Sequence, residues 1–439
     1  MDLLIICLAA VIGLYMAWNI GANDVANSMA DAVGSKAITV KQAVIAAGIC
    51  EFAGAVLVGS HVTETVRKGI VNPVAITNIP GLMEGDAATI FILGMTAALL
   101  SAAFWLHFST KTGMPVSTTH SIVGAVAGFG IVAAGWSSVN WGKMTQIVLS
   151  WFISPIVGGL MAYIIFQFIS KFILGQRKPA KAAIRFTPFI VFFLFFTVIL
   201  ATIFKGLKNV IGSVPWLTEN ISFIIALVFA LTAAVISRKL LERRLKDKSK
   251  LPLAQQLELI EKIYAPLVVI SSCSVAFAHG ANDVANAVGP LAAIVNILQQ
   301  GTVEMKVGIP FWILALGGAG IVFGLGTYGY KVMHTVGTEI TEITPSRGVA
   351  ADIAATVTVL VCTRMKLPIS TTHTLVGAIL GIGLARGLAG INSQITKKIF
   401  GSWLLTVPAA AIVAILLYLV EHYFFFDFVK SLVLLAKSS

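Results

Sequence analysis

The chain has 439 residues, of which 57% are hydrophobic and 11% charged, and its mean hydropathy is +0.92. So little polar surface cannot clothe a soluble globule, and the composition specifies an integral membrane protein. The formal net charge of +12 does not argue for nucleic acid, because the basic residues cluster in loops between apolar runs and so read as membrane orientation.

Apolar stretches near the roughly 20 residues a helix needs to cross a bilayer begin around Leu3, Val40, Ala87, Met144, Phe186, Ile221, Ala265, Ile309, Ala350 and Ile399. Two shorter ones cover residues 122–132 and 375–384. The pattern predicts an all-α, polytopic membrane protein of about ten to twelve transmembrane helices, some of them discontinuous or re-entrant. Met1-Asp2 brings no basic region and the first apolar run no small-residue cleavage site, so that run reads as a retained helix rather than a signal peptide.

The first run is interrupted at Gly21-Ala22-Asn23-Asp24-Val25-Ala26-Asn27, and the same heptad returns at Gly280-Ala281-Asn282-Asp283-Val284-Ala285-Asn286. A second pair follows in the same order, Pro115-Val116-Ser117-Thr118-Thr119-His120 and Pro368-Ile369-Ser370-Thr371-Thr372-His373. The heptads are 259 residues apart and the Ser-Thr-Thr-His blocks 253, so two half-chains repeat one plan. Gly54, Gly59 and Thr65-Val66 also match Gly324, Gly329 and Thr335-Val336 at an offset of 270. Interrupted apolar segments at corresponding places in two halves point to a secondary transporter built of inverted repeats, with its site at the interruptions. An inverted repeat needs an odd number of crossings between the heptads, and the N-terminus is accordingly expected outside.

The expected organisation is a first transmembrane repeat over 1–170, connecting helices and a basic loop over 171–262, and a second repeat over 263–439. Lys171, Arg177, Lys178, Lys181 and Arg185 form one basic cluster; Arg238, Lys239, Arg243, Arg244, Lys246, Lys248 and Lys250 form another. Two apolar segments separate them, so both emerge on the same side, which the positive-inside rule makes the cytoplasm. The loop from Arg238 to Lys262 reads either as a solvated connector or as partly an interfacial helix. Cys7, Cys50, Cys273 and Cys362 lie in apolar runs at spacings that support neither a disulfide nor a metal framework.

Asp24 and Asp283 are each flanked by two asparagines, Asn23 and Asn27 in one half and Asn282 and Asn286 in the other, with no Lys or Arg nearby in sequence. An unpaired carboxylate inside a membrane costs several kcal/mol and marks a pathway. A bound cation would supply the missing charge, and carboxylate, amide and backbone oxygens suit sodium or a proton; the plainer alternative is that these residues cap a broken helix. The Ser-Thr-Thr-His blocks place a proline and hydroxyls at helix starts, where free N–H groups and the dipole favour an anion. Two such starts facing each other, Ser117-Thr118 and Ser370-Thr371, would hold a tetrahedral oxyanion with neutral donors, unless Ser117 and Ser370 serve only as caps. His120 and His373 either donate or shuttle protons, or pack between helices. Glu51 and Asp352 are further acids within apolar spans, expected to take part in cation coordination or coupling.

At these motifs the chain resembles the inorganic phosphate transporter (PiT) family, through both heptads, the run from His279 to Pro290, the Thr65–Ile70 stretch and both Ser-Thr-Thr-His blocks. The resemblance implies symport of inorganic phosphate with sodium or protons, two inverted repeats, a cytoplasmic central loop in the plasma membrane and a homodimer in the lipid bilayer. The family's paired motif acids map to Asp24 and Asp283, and its first-half glutamate to Glu51. Asp352 stands where the family often has glutamate.

The expected mechanism places sodium, as co-transported ion, at Asn23, Asp24, Asn27, Glu51, Asn282, Asp283, Asn286 and Asp352. Phosphate then contacts Ser117, Thr118, Ser370, Thr371, Asn23 and Asn282, and one bundle rocks against the rest. Without the cation, carboxylates and phosphate would repel in low dielectric. A proton in place of sodium, a metal-phosphate or sulfate substrate, and a channel or receptor are the competing readings. Phosphate, unlike sulfate, keeps a proton that can be donated to an Asp or Asn acceptor. No nucleophile–base pair, nucleotide loop or organic-cofactor motif argues for an enzyme.

Overall fold

The computed structural model describes residues 2–59, 70–203, 219–300, 309–364 and 369–438. Thr65, Val66 and Arg67, most of the Thr65–Ile70 stretch, and Pro368 of the second Ser-Thr-Thr-His block lie outside these residues. Twelve principal helices carry the fold: α1 (Asp2–Ile20), α2 (Val40–Val58), α3 (Asp86–Lys111), α4 (Thr118–Ala134), α5 (Trp141–Ile169), α6 (Pro179–Ala201), α7 (Glu219–Leu245), α8 (Leu253–Gln300), α9 (Phe311–Tyr328), α10 (Pro345–Arg364), α11 (Thr371–Ala385) and α12 (Ser393–Ser438).

Ten of them are long and apolar enough to span a bilayer, and α4 and α11 are the two shorter apolar helices. Several begin before the hydrophobic run does. Helix α6 starts at Pro179 and carries Lys181 and Arg185, and α8 starts at Leu253 and carries Glu258 and Glu261. Their charged N-terminal segments are helical but suited to the interface rather than the hydrocarbon. The stretch from Arg238 to Lys262 is likewise mostly helix: it comprises the end of α7, a short turn over Lys248–Lys250 and the start of α8.

Local chemistry fixes the helix starts. Thr39 and Gln42 form a capping box on α2, with Gln42 N donating to Thr39 Oγ1 at 3.3 Å and Thr39 N to Gln42 Oε1 at 2.9 Å. Ser117 Oγ accepts from His120 N at 3.3 Å, and Ser370 Oγ from His373 N at 3.2 Å, so both serines do cap their helices. Pro179 and Pro345 occupy first helical positions, where a missing N–H costs nothing.

Close backbone contacts are exchanged between the halves. A Cβ on Gly21 would lie 1.8 Å from the Ile321 carbonyl oxygen, and one on Gly280 would lie 2.3 Å from that of Glu51. Gly54 meets the Phe277 carbonyl in the same way, and Gly324 that of Trp18. Each contact maps onto its counterpart under the offsets of 259 and 270 read from the sequence. Thus α1 packs on α9 as α8 packs on α2, with glycine permitting the approach that packing in lipid requires. Helices α4 and α12, and α5 and α11, form a second exchanged set.

The two heptads differ in conformation. After α1 the first adopts a widened turn over Gly21–Val25, then short turns at Ala26–Ser28 and Ala30–Gly34. The second runs through α8 without interruption, and Pro266 and Pro290 lie within that 48-residue helix. Both heptads are therefore helical: the first is widened and its helix ends at Ser28, just beyond Asn27, whereas the second continues to Gln300.

Candidate functional site

The four motifs meet in the core. Asp24, in the widened turn after α1, accepts at Oδ2 from Thr118 N at 3.2 Å and Thr118 Oγ1 at 2.5 Å, and at Oδ1 from Thr372 Oγ1 at 2.8 Å. One carboxylate thus spans the first turns of α4 and α11, the place that helix dipoles and free donors make favourable for an anion. All three side chains are buried. Widened turns of this kind re-aim side chains at functional positions.

Asp283 is held differently. Its Oδ2 lies 2.7 Å from His279 Nε2, out of line for a hydrogen bond, while Nδ1 of the same ring is 3.1 Å from Glu51 Oε1. His279 Nε2 is also 3.7 Å from Asp24 Oδ2. One buried imidazole therefore sits among three buried carboxylates, with Glu51 fully inaccessible. With all three ionised, even a protonated ring would balance only one of the negative charges, and a cation or further protons would have to balance the rest. Among the described residues, Asp24, His279 and Asp283 form the group whose ligand atoms lie within 4.8 Å of one another.

The asparagines divide into two roles. Asn23 donates to Thr110 Oγ1 and to the Met114 carbonyl, each at 3.0 Å, and its Oδ1 accepts from Val116 N at 2.9 Å. It braces the approach to the first Ser-Thr-Thr-His block, which uses both amide hydrogens. Its counterpart Asn282 is half-buried on α8, and the corresponding residues 365–368 lie outside the described ones. Asn27 donates to Thr372 Oγ1 at 3.4 Å and keeps a buried Oδ1 that no donor meets. Asn286 donates to Thr118 Oγ1, Thr119 Oγ1 and Asp283 Oδ1 at 3.2–3.4 Å.

A cavity of about 40 Å³ adjoins this cluster, lined among others by Asp24, Asn27, His279, Thr356, Thr371 and Thr372. Ser117 and Ser370 cap their helices beside the cavity rather than lining it. His120 and His373 pack on each other with ring centroids 4.8 Å apart, and His373 stacks on Trp403 at 3.8 Å. That contact brings the two helix starts together across the halves.

Asp352 lies apart from this cluster. Its Oδ2 accepts from Ser271 Oγ at 2.5 Å and Ser272 Oγ at 2.9 Å. The sequence reading of the charges missed His279, although the residue directly precedes the second heptad. A histidine one position before Gly280, with Ile20 at the corresponding place in the first half, was the available signal.

The profile of the phosphate transporter family matches residues 20–414. The chain belongs to that family. It is 46% identical to a Thermococcus kodakarensis relative over 93% of this chain and 95% of that protein. It is 39% identical to the chloroplastic inorganic phosphate transporter 2-1 of Arabidopsis thaliana, over 92% of this chain and 70% of that one. A solved structure named "The sodium-dependent phosphate transporter" superposes with a TM-score of 0.82 at 41% identity, covering 96% of this chain and 99% of its own. The protein is a multi-pass membrane phosphate transporter and not an enzyme.

Proposed function

We propose that the protein imports inorganic phosphate together with sodium by alternating access across the plasma membrane, with the basic ends of α6 and α7 in the cytoplasm and the two repeats inverted. The observation that carries this reading is Asp24 bridging Thr118 and Thr372 at the starts of α4 and α11. The carboxylate holds the donors that an incoming oxyanion needs. A phosphate brought within about 4 Å of it would be repelled by of order 4 kcal/mol per pair of unit charges at an effective dielectric of 20.

Sodium bound by Asp24, Asp283 and the unpartnered Oδ1 of Asn27 would cancel that repulsion and draw Asp24 off the helix starts. The Thr118 and Thr372 hydroxyls and the Thr118 N–H then become available to phosphate. An empty cation site rejects the anion, and this is the coupling. Asn23 and Asn286 position the two blocks, and Glu51 orients His279. Support for sodium comes from the oxygen-rich donor set and from the likeness to a transporter named as sodium-dependent. His279 among three carboxylates favours one competing reading, in which a proton takes the place of the metal ion.

Uptake of labelled phosphate into liposomes containing the purified protein tests this. Saturable uptake is expected with an inward sodium gradient, with little inhibition by sulfate. Equal uptake driven by a proton gradient in sodium-free buffer would remove sodium from the mechanism, and uncoupled flux would replace the symporter by a channel.

A further inference from the structure

Cys50 on α2 and Cys273 on α8 are 273 − 50 = 223 residues apart in sequence, a spacing that hides any relation between them. The structure brings them together. A Cβ on Gly54 would meet the Phe277 carbonyl oxygen at 2.2 Å, and one on Gly59 would stand 2.5 Å from Val284 Cγ1, so α2 and α8 run parallel. Cys50 and Cys273 lie one helical turn before Gly54 and Phe277 on the same two helices. The duplication supplies an independent check. Its offsets carry Cys50 onto Gly320 and Cys273 onto Leu14, and a Cβ on Gly320 would stand 3.2 Å from the Leu14 carbonyl oxygen. One copy of this contact is thus glycine against leucine, and the other is two thiols. Those thiols are hydrogen-bond partners of each other, and both are free and half-buried.

Cys50 is the eleventh of the nineteen residues of α2, which places the pair near mid-depth of the span. Ile45, Ile49 and Ile270 beside it are exposed on the apolar outer surface. The sulfurs are therefore open to neutral solutes dissolved in hydrocarbon. Glu51 is turned away to His279, with Oε1 3.1 Å from Nδ1. Among the described residues no His, Asp or Glu joins the two sulfurs as a third ligand.

Two soft sulfurs without a third ligand, in a medium of low dielectric, select strongly among ions. Sodium and magnesium take oxygen ligands, and structural zinc takes four ligands. A cuprous ion on two thiolates leaves a net negative charge, which hydrocarbon penalises. A divalent ion satisfied by two thiolates leaves none. We propose that Cys50 and Cys273 form a dithiol site for a soft, two-coordinate divalent cation of the mercuric class. With neutral mercuric chloride, each thiol gives up its proton, two sulfur–metal bonds form, two metal–chloride bonds break, and two equivalents of HCl leave. The product is neutral, so the site fills without burying charge. It clamps α2 of the first half to α8 of the second, one residue from Glu51, and fixes the turn that presents Glu51 to His279. Phosphate uptake should stop when the site is loaded.

Mercuric chloride alone, added to the purified, reduced full-length protein carrying Cys7→Ser and Cys362→Ser, tests the site. One ion per chain should consume both remaining thiols, as read by a thiol assay and by the mass of the intact chain. Adding Cys50→Ser or Cys273→Ser leaves an ion held by one sulfur. A competing monothiol should strip it at about tenfold lower concentration or less, because the missing sulfur acts within the chain at an effective concentration of millimolar order. Cys50→Ala and Cys273→Ala give the same reading if a serine hydroxyl in hydrocarbon impairs folding. Uptake should fall on loading, return with a dithiol chelator, and resist mercuric chloride when Cys50→Ala and Cys273→Ala are combined. One thiol consumed per ion, or equal retention by the pair and by either single variant, overturns the site. Unchanged uptake in the loaded protein overturns the clamp.

Discussion

Asp24 accepts a 2.8 Å hydrogen bond at Oδ1 from Thr372, a residue 348 positions away in the other half of the chain, while Thr118 of its own half donates to Oδ2. One acid of the first half therefore joins the first turns of α4 and α11. Hydrogen bonds to a charged group contribute about 1.5–3 kcal/mol each. Thr372→Val and Thr118→Val remove a donor that the proposed cycle uses twice, first for Asp24 and then for phosphate. Each is expected to raise the phosphate concentration for half-maximal uptake by about tenfold or more. Asp24→Asn should abolish coupled uptake. Uptake at the unaltered rate in Asp24→Asn would take that carboxylate out of the cycle.

His279 lies between Glu51 on one side and Asp283 and Asp24 on the other. Histidine is the side chain whose ordinary charge change falls within about pH 5–8. If the ring exchanges a proton during transport, His279→Gln keeps a polar group at the centre and deletes that exchange. Phosphate uptake in sodium should then vary less with pH across that range than in the unaltered protein. Superimposable pH profiles would show that His279 keeps one charge state throughout and serves to hold Glu51 and Asp283 in place.

The repeats, the all-helical class and the membrane spans were legible in the sequence because a bilayer imposes a hydrophobic length on each crossing. The convergence of both heptads on both Ser-Thr-Thr-His blocks followed from the duplication. Three features were not legible. The heptads are identical in sequence, yet the first widens and its helix ends at Ser28 while the second continues through α8; the residues that follow differ, Ser28-Met29-Ala30-Asp31 against Ala287-Val288-Gly289-Pro290. The approach of Asp31 to the α10 backbone at Gly348 joins segments more than 300 residues apart, and position 290, which corresponds to Asp31, is a proline. Asn23 resembles Asn27 on paper, but bracing Val116 commits its amide, whereas the Oδ1 of Asn27 is left beside the cavity.

The exchanged glycine contacts make a steric prediction. A methyl group at Gly21 or Gly280 would collide with a backbone carbonyl that cannot rotate away, so α1 and α9, or α8 and α2, must separate. Overpacking of this kind costs about 1–3 kcal/mol, and more where backbone is the obstacle. Gly401 has open space at the same position and provides the control. Gly21→Ala and Gly280→Ala should melt below the unaltered protein in detergent, with Gly401→Ala unchanged. Melting of all three together with the unaltered protein would contradict the close approach of the halves.

Glu261 ties the start of α10 to α8. Its Oε2 accepts from Ser346 N at 2.8 Å, and its Oε1 from Ser346 Oγ at 2.7 Å and Thr344 Oγ1 at 3.1 Å. A carboxylate here satisfies a free N–H of the first turn of α10 and complements its dipole, so one side chain from a neighbouring helix acts as the cap. Glu261→Gln keeps an acceptor and loses the charge, and should cost about 1 kcal/mol; Glu261→Ala loses both and should cost about 2 kcal/mol. Because the clip joins α8 and α10 at the end that also leads to Ser271 and Asp352, its loss should speed exchange of backbone amides in the first turn of α10. Hydrogen exchange followed by mass spectrometry reads this directly. Equal protection of residues 346–349 in Glu261→Ala and the unaltered protein would mean that α10 is held by its packing alone.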